Sequence, residues 1–200
     1  SVWSWGLNAN GQLGRTGSPL VAAKVPSLSG AGVTSIAAGG YHSLAVGPAG
    51  GTVWAWGWNN WGQLGDGTTV DRAAPVVVAG LTGVAAVAAG VGHSLAAGTD
   101  GTVRSWGLGN TGQLGRVAAT SPIAAPVPGL AGVTAIAAGG YHSMAVGAGG
   151  VVAAWGWNGL GQLGDGTFTD HTTPVVVPGV TGARAVTAGI AHELVRVPTA

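Results

Sequence analysis

The chain has no cysteine, which excludes disulfides and thiolate metal sites and leaves the redox compartment open. Charge is almost as scarce. Seven Lys plus Arg face six Asp plus Glu, for a formal net charge of +1. No basic run is present, so the electrostatic footprint of a nucleic-acid binder is missing. Six carboxylates leave little for general acid–base work, and none are paired. There is no G-x-S-x-G elbow, no GxxxxGK[ST] loop and no strand–GxGxxG–helix unit, so a nucleotide site is unsupported. No apolar run reaches the roughly 18 residues of a spanning helix. The sequence therefore nominates no catalytic residue, cofactor or metal, and neither nucleic acid nor membrane is expected as a partner. An initiator Met is also missing from SVWSWG, and the chain reads as a mature or excised piece whose targeting segment could have been removed. Little Lys and Glu beside much Ala, Gly and Val fits a secreted protein of a GC-rich bacterium, with a cytoplasmic setting as the alternative.

Glycine and tryptophan are abundant instead: 40 Gly and nine Trp in 200 residues. Glycine at this level without a three-residue period is not collagen. The apolar content argues against disorder, and helix is a poor fit because each interior Gly costs roughly 1 kcal/mol relative to Ala. The stretch from Trp56 to Thr68, WGWNNWGQLGDGT, recurs as WGLNANGQLG from Trp5, WGLGNTGQLG from Trp106 and WGWNGLGQLGDGT from Trp155; the tryptophans lie 51, 50 and 49 residues apart. A single domain over 1–200, a propeller or half-propeller, divides into units near 1–50, 51–100, 101–149 and 150–200. Units one and three share WGL and GQLGR. Units two and four share WGWN and GQLGDGT.

Each unit reads as four short strands. Val33–Ala38 is β-branched and apolar, Ser43–Val46 follows a Gly39–Gly40 turn, and Thr52–Trp56 alternates after the Gly47–Gly51 turn. Pro75–Val78 is the fourth strand, with Pro at its first position, where a missing N–H is tolerated. The later first strands are Val84–Ala89, Val133–Ala138 and Ala183–Ala188. The second strands are Ser94–Ala97, Ser143–Val146 and Glu193–Val197, the third Thr102–Trp106 and Val151–Trp155, and the fourth Ile123–Val127 and Pro174–Val177. Four short strands per unit with glycine-rich turns predict an all-β fold, a β-propeller of four-stranded blades with four repeats per chain.

The pattern WGxNxxGQLGxG, followed by VxxIAAGxxH[ST]LA[LV], resembles the regulator of chromosome condensation repeat family across the whole chain. The resemblance implies a β-propeller, seven-bladed in the best-known members, and binding of other proteins. One branch of the family exchanges guanine nucleotide on a small GTPase through a wedge-like insertion and carries a basic tail. This chain has neither, so that activity is not carried over. Other similar propellers inhibit β-lactamases.

The first unit starts at its third strand, Val2–Trp5, and the last stops after its second, Glu193–Val197. These segments could self-associate by completing one blade. Closure within one chain would make four blades and closure between two chains eight; a longer parent is the third option, and a contact that failed to close would build a filament. Two chains or a longer parent are favoured, because four blades demand much wider wedges.

The repeated tryptophans Trp5, Trp56, Trp106 and Trp155 read as packing between blades, each indole N–H finding a backbone carbonyl. Leu13, Leu64, Leu114 and Leu163 read as loop anchors, and the side chains of Gln12, Gln63, Gln113 and Gln162 as ties to a neighbour. His42, His93, His142 and His192 stand once per blade and are read as bonding backbone within their own blade rather than ringing a metal. Asp66-Gly67-Thr68 and Asp165-Gly166-Thr167 lack the further carboxylates of a calcium loop and read as turns. Lone Lys24, Arg72 and Arg184 read as solvated. Positions that vary between units are the candidate partner-binding residues: Trp3, Trp54, Arg104, Trp58, Trp61, Trp157, Phe168 and His171. The leading function is a non-catalytic scaffold binding another protein through its loops. The alternatives are a self-assembling homodimeric ring or filament, and a carbohydrate-binding or enzyme-inhibiting propeller.

Overall fold

Every unit places short apolar runs between glycine turns, and these form the strands. The computed structural model describes residues 1–48 and 51–198. Residues 49 and 50 of the expected Gly47–Gly51 turn lie outside the described residues, as do 199 and 200. Three four-stranded antiparallel sheets follow one another. Blade I contains β3 (Ser35–Ala38), β4 (His42–Val46), β5 (Val53–Gly57) and β6 (Arg72–Val77). Blade II contains β7 (Val84–Ala89), β8 (His93–Gly98), β9 (Val103–Leu108) and β10 (Thr120–Pro126). Blade III contains β11 (Ala135–Ala138), β12 (His142–Val146), β13 (Val152–Gly156) and β14 (His171–Val176). A two-stranded sheet flanks them at each end: β1 (Trp3–Ser4) with β2 (Ala23–Lys24), and β15 (Ala185–Ala188) with β16 (Glu193–Arg196). By position in the repeat, β1 and β2 are third and fourth strands, while β15 and β16 are first and second.

The fourth strands begin earlier than the proline positions suggested. Pro75 lies inside β6, Pro122 inside β10 and Pro174 inside β14. These are the outermost strands of their sheets, so a ring nitrogen on the free edge breaks no ladder bond. The register between third and fourth strands shifts at Ala55/Gly57. Gly57 has φ +105°, and a Cβ there would come within 2.6 Å of the Tyr41 carbonyl; only glycine allows the bulge and the close approach together.

Neighbouring blades are held by a repeated joint. The Trp56 indole N–H donates to the Gln12 carbonyl at 2.9 Å, Trp106 to that of Gln63 at 2.8 Å and Trp155 to that of Gln113 at 2.9 Å. The same three carbonyls accept the hydroxyls of Ser43, Ser94 and Ser143. The Gln role thus belongs to its backbone; each side-chain amide oxygen instead accepts the N–H two residues before it, as at Trp61. Leu64, Leu114 and Leu163 anchor the loops in full burial. Gly65, at φ +68°, would place a Cβ 2.8 Å from the Trp106 indole nitrogen, so the GQLG turn meets the next blade's tryptophan through glycine. Trp5 differs from its three counterparts and is 65% exposed. No blade with a Gln carbonyl precedes it among the described residues.

The histidines also reach across the joint rather than bonding within their own blade. His42 Nε2 lies 2.8 Å from Ser94 Oγ, and His93 Nε2 lies 2.9 Å from Ser143 Oγ. Each serine hydroxyl is committed as a donor to a Gln carbonyl, so its oxygen accepts from the imidazole, which is therefore the Nε2–H tautomer. Burial lowers the His42 pKa to about 4 and the His93 pKa to about 3, with the neighbouring histidines adding to the latter. In the last joint Glu193 stands where the serines are, in contact with His142. Burial raises the Glu193 carboxyl pKa, against the opposing pull of His142. Apolar contacts fill the remaining space in the same order each time: Leu44 shares a core cluster with Val87, Leu95 with Ile136, and Met144 with Val186.

The joint makes stability sensitive to mild acid. His42 and His93 are neutral when folded and titrate near 6.5 when unfolded, so their contribution is complete above that pH and is lost as pH falls toward 4. Chemical denaturation at pH 7.5, 6 and 5 should show stability falling with a slope approaching two protons, roughly 3 kcal/mol per pH unit. Ser94→Ala, which strands the His42 donor, should cost about 1–3 kcal/mol at pH 7.5.

Candidate functional site

Loops between third and fourth strands and hairpins between first and second strands emerge at the same end of each blade, and the varied aromatic residues gather there. Trp58 follows β5, with its N–H bonded to the Tyr41 carbonyl at 2.9 Å. The Tyr41 and Trp58 rings meet edge-on with centroids 5.5 Å apart, and Trp58 meets Trp61 at 4.4 Å. Blade III repeats part of this, with Tyr141 and Trp157 edge-on at 6.4 Å. Tyr41 is exposed and Trp58 and Trp61 are half-buried. Phe168 is 74% exposed, and Leu160 is exposed as well.

Two asparagines hold this face rigid. Asn59 is fully buried. Its side-chain oxygen accepts the Leu64 N–H, while its amide donates to Asp66, to the Thr68 carbonyl and to the Val70 carbonyl. Its backbone N–H donates to Asp71, whose other oxygen accepts from Asn10 of the preceding loop at 3.3 Å. Asn158 does the same with Leu163, Asp165, Thr167 and Asp170. Asp66 and Asp165 cap turns, as read from the sequence, and each also takes a basic side chain. Arg72, expected to be solvated, pairs with Asp66 at 2.7 Å. The chain's turn puts the guanidinium six residues on beside a carboxylate already fixed by Thr68 and Asn59. His171 pairs with Asp165 at 2.8 Å. Burial opposes ionisation of Asp165, but its bonds from Thr167, Asn158 and His171 outweigh this and bring its pKa down to about 2.

The candidate residues thus divide by place. Trp58, Trp61, Trp157, Phe168 and His171 share the loop face. Trp3, Trp54 and Arg104 lie in third strands instead. Trp54 joins the apolar cluster of Val2, Val25 and Trp56 between the first two sheets. Trp3 pairs across strands with Lys24, whose ammonium sits 5.6 Å from its ring centre. Trp61 fills a gap left by its neighbour: Gly92 occupies the place of Tyr41 and Tyr141, and a Cβ on Gly92 would run into the Trp61 ring. Tyr41, Tyr141, Asn59 and Asn158 were not singled out by comparing repeats. The tyrosines stand at a varying position, so the signal was available there.

Chemically, the face offers fixed aromatic surface edged by hydrogen-bonding groups. The His–Ser pairs have nucleophile–base distances, but both members lie buried in the joints with the hydroxyl proton committed. Among the described residues no three His, Asp or Glu side chains converge on one point that could hold a metal.

The exchange between Trp61 and Gly92 can be tested against the Thr111–Tyr141 pair that takes its place one joint later. Gly92→Tyr alone should destabilise by about 1–3 kcal/mol through overpacking, and Trp61→Thr alone by about 3 kcal/mol or more. The double variant should recover most of the loss, giving a coupling above 1 kcal/mol in a denaturation cycle.

Comparison with known proteins places this geometry. The regulator of chromosome condensation (RCC1) repeat matches residues 1–46, 50–97, 100–146 and 150–195. The chain is 40% identical over 106 residues to the RCC1 domain-containing protein RUG3, mitochondrial, of Arabidopsis thaliana, covering 50% of this chain and 23% of that protein. Its fold matches human WBSCR16 with a TM-score of 0.83 at 24% identity, over 96% of this chain and 54% of that one. It matches Prp20p of Saccharomyces cerevisiae, a protein with binding properties toward Gsp1p and histones, with a TM-score of 0.77 at 23% identity, over 94% and 49%. The chain thus spans about half of these solved propellers and under a quarter of the curated relative. With the repeat matched four times in register and the blades and joints it implies in place, the chain belongs to the RCC1 repeat family.

Proposed function

We propose that this chain acts by binding another protein through the loop face carrying Tyr41, Trp58, Tyr141, Trp157 and Phe168, and not by catalysis. The observation that carries the reading is the gathering of accessible aromatic side chains on one face of a rigid scaffold. Tyr and Trp are enriched where protein interfaces concentrate their energy, because they bury large area at small entropic cost. The buried Asn59 and Asn158 networks fix the loops beforehand, which lowers the ordering cost of association. Binding to Gsp1p and histones by Prp20p, a propeller of the same fold, supports use of this architecture for contact with proteins. The His42–Ser94 and His93–Ser143 pairs, whose spacing would suit nucleophilic chemistry, are closed off in the joints, which supports the non-catalytic part.

The test is affinity capture by the immobilised chain from its native source, followed by measured Kd for the recovered protein. Trp58→Ala and Phe168→Ala should each weaken binding about 30-fold or more if they are central contacts, while Lys24→Ala, away from the face, leaves it unchanged. Undiminished binding by both aromatic variants removes the loop face as the site. Saturable quenching of tryptophan fluorescence by an oligosaccharide, abolished in Trp58→Ala, would replace protein by carbohydrate as the ligand.

A further inference from the structure

Units one and three share SWGL before the loop and GQLGR within it. The same serine closes both, Ser4 donating to the Leu13 carbonyl and Ser105 to that of Leu114. The arginines that end the two motifs nevertheless differ in their partners. Arg15 is buried, and its guanidinium donates to the carbonyls of Ser4, Thr16, Ser18 and Val21. Arg116 reaches only the Ser105 carbonyl, through Nη2 at 3.3 Å. Its Nε–H is buried without an acceptor, and among the described residues Nη1 has none either. A guanidinium carries five donors and keeps its proton in proteins. Enclosing this one with so few acceptors is unfavourable, and burial pushes its pKa down.

The difference starts at one residue. Asn8 holds the first loop, its oxygen accepting the Leu13 N–H and its amide donating to the Arg15 carbonyl. Gly109 stands at that place in unit three and has no side chain to do either. The chain closes over the gap instead. The Gly109 N–H donates to the Ala119 carbonyl at 2.6 Å, and a Cβ on Gly109 would run into the Ala118 carbonyl. The carbonyls that follow the arginine thus face the guanidinium in unit one and Gly109 in unit three. No side chain replaces them. Where an aspartate ends the motif, a basic residue six positions on meets it, Arg72 with Asp66 and His171 with Asp165. Six positions beyond Arg116 is Pro122, whose ring offers no acceptor. The guanidinium edges a cavity of about 290 Å³ with Gly109, Asn110, Val117 and Thr172, and no carboxylate lines it.

We infer that Arg116 receives a carboxylate of the bound partner protein, an aspartate or glutamate side chain seated in this cavity. The inference rests on the protein-binding reading above and adds to it a charge on the partner. A carboxylate presents two oxygens that match the guanidinium fork. It also carries a single negative charge, which the one cation lining the cavity balances; a phosphate dianion would be left half neutralised. The Asn110 amide and the Thr172 hydroxyl, on exposed residues, add donors at the rim. Thr172 belongs to β14, so the cavity lies at the seam between the blade II loop and blade III, whose own loop carries Trp157 and Phe168. An acidic side chain held there would sit beside the aromatic contacts rather than apart from them.

The arginine Nε–H signals in heteronuclear NMR spectra test the site before any partner is in hand. The peptide N-acetyl-Gly-Glu-Gly-amide, titrated to millimolar concentration, should shift the Arg116 signal saturably and leave that of Arg15 in place. The same peptide with Gln for Glu should shift neither. Loss of the signal in Arg116→Gln assigns it. That variant should melt with the unsubstituted chain, since the guanidinium holds little of its loop, whereas Arg15→Gln should melt lower. An Arg116 signal that does not move, equal shifts with the Glu and Gln peptides, or a tighter response to inorganic phosphate overturns the carboxylate site. Melting of Arg116→Gln as low as that of Arg15→Gln makes the residue a loop tie and overturns it too. With the protein partner recovered, Arg116→Gln should weaken its Kd about 10-fold or more. Binding weakened in Trp58→Ala but unchanged in Arg116→Gln ends this inference and leaves the loop-face reading standing. Binding weakened in Arg116→Gln alone keeps the carboxylate site and removes the aromatic face.

Discussion

One backbone carbonyl per joint supports the arrangement of the blades. Gln12, Gln63 and Gln113 each receive an indole N–H and a serine hydroxyl from the next blade. A carbonyl oxygen has two lone pairs, and here both are used, in full burial at Gln63 and Gln113. Losing either donor would leave a buried polar atom unsatisfied. The GQLG glycines let the carbonyl come close enough to the tryptophan for this to happen, and the histidine extends the chain one link further. The angle between blades therefore follows from hydrogen bonds of fixed length as much as from apolar contact.

With the joints carrying stability, the loops above them are free to vary in chemistry. Units one and three close their loops with arginine, Arg15 donating to the Ser4, Ser18 and Val21 carbonyls and Arg116 to that of Ser105. Units two and four use Asn59 with Asp66, and Asn158 with Asp165, and only these carry the Trp58 and Trp157 aromatics. The alternation seen as WGL against WGWN is thus an alternation between two ways of satisfying the same loop backbone. The second leaves an aromatic ring to face solvent. Glu193 is the exception in the joints, a carboxylate where three serines stand, and it lies in the joint between blade III and the two-stranded sheet of β15 and β16.

The repeat made much of this readable. A tryptophan recurring near every 50 residues with GQLG after it implied inter-blade packing and a carbonyl for the indole, and Trp56, Trp106 and Trp155 do this. The sequence places a strand start at Pro75, whereas the outer edge strand β6 accepts the proline internally. The Gln side chains drew attention that belongs to their backbone, since a sequence names side chains only. Arg72 looked solitary because its carboxylate is defined by a turn, and Trp61 looked free because the absence it fills, at Gly92, lies 31 residues further on.

The sequence by itself determined the repeat count per chain, the strand order and the presence of a shared joint. Those follow from local periodicity, glycine turns and fourfold repetition. It also determined that WGWNNWGQLGDGT is chiefly scaffold. Only the tertiary structure decided which atoms make the joint, that His42 bonds Ser94 rather than its own blade, which aromatics face solvent, and that Trp5 is left uncovered. These are relations between residues tens of positions apart, set by the angle at which one sheet lies on the next, and that angle exists only once the sheets have packed.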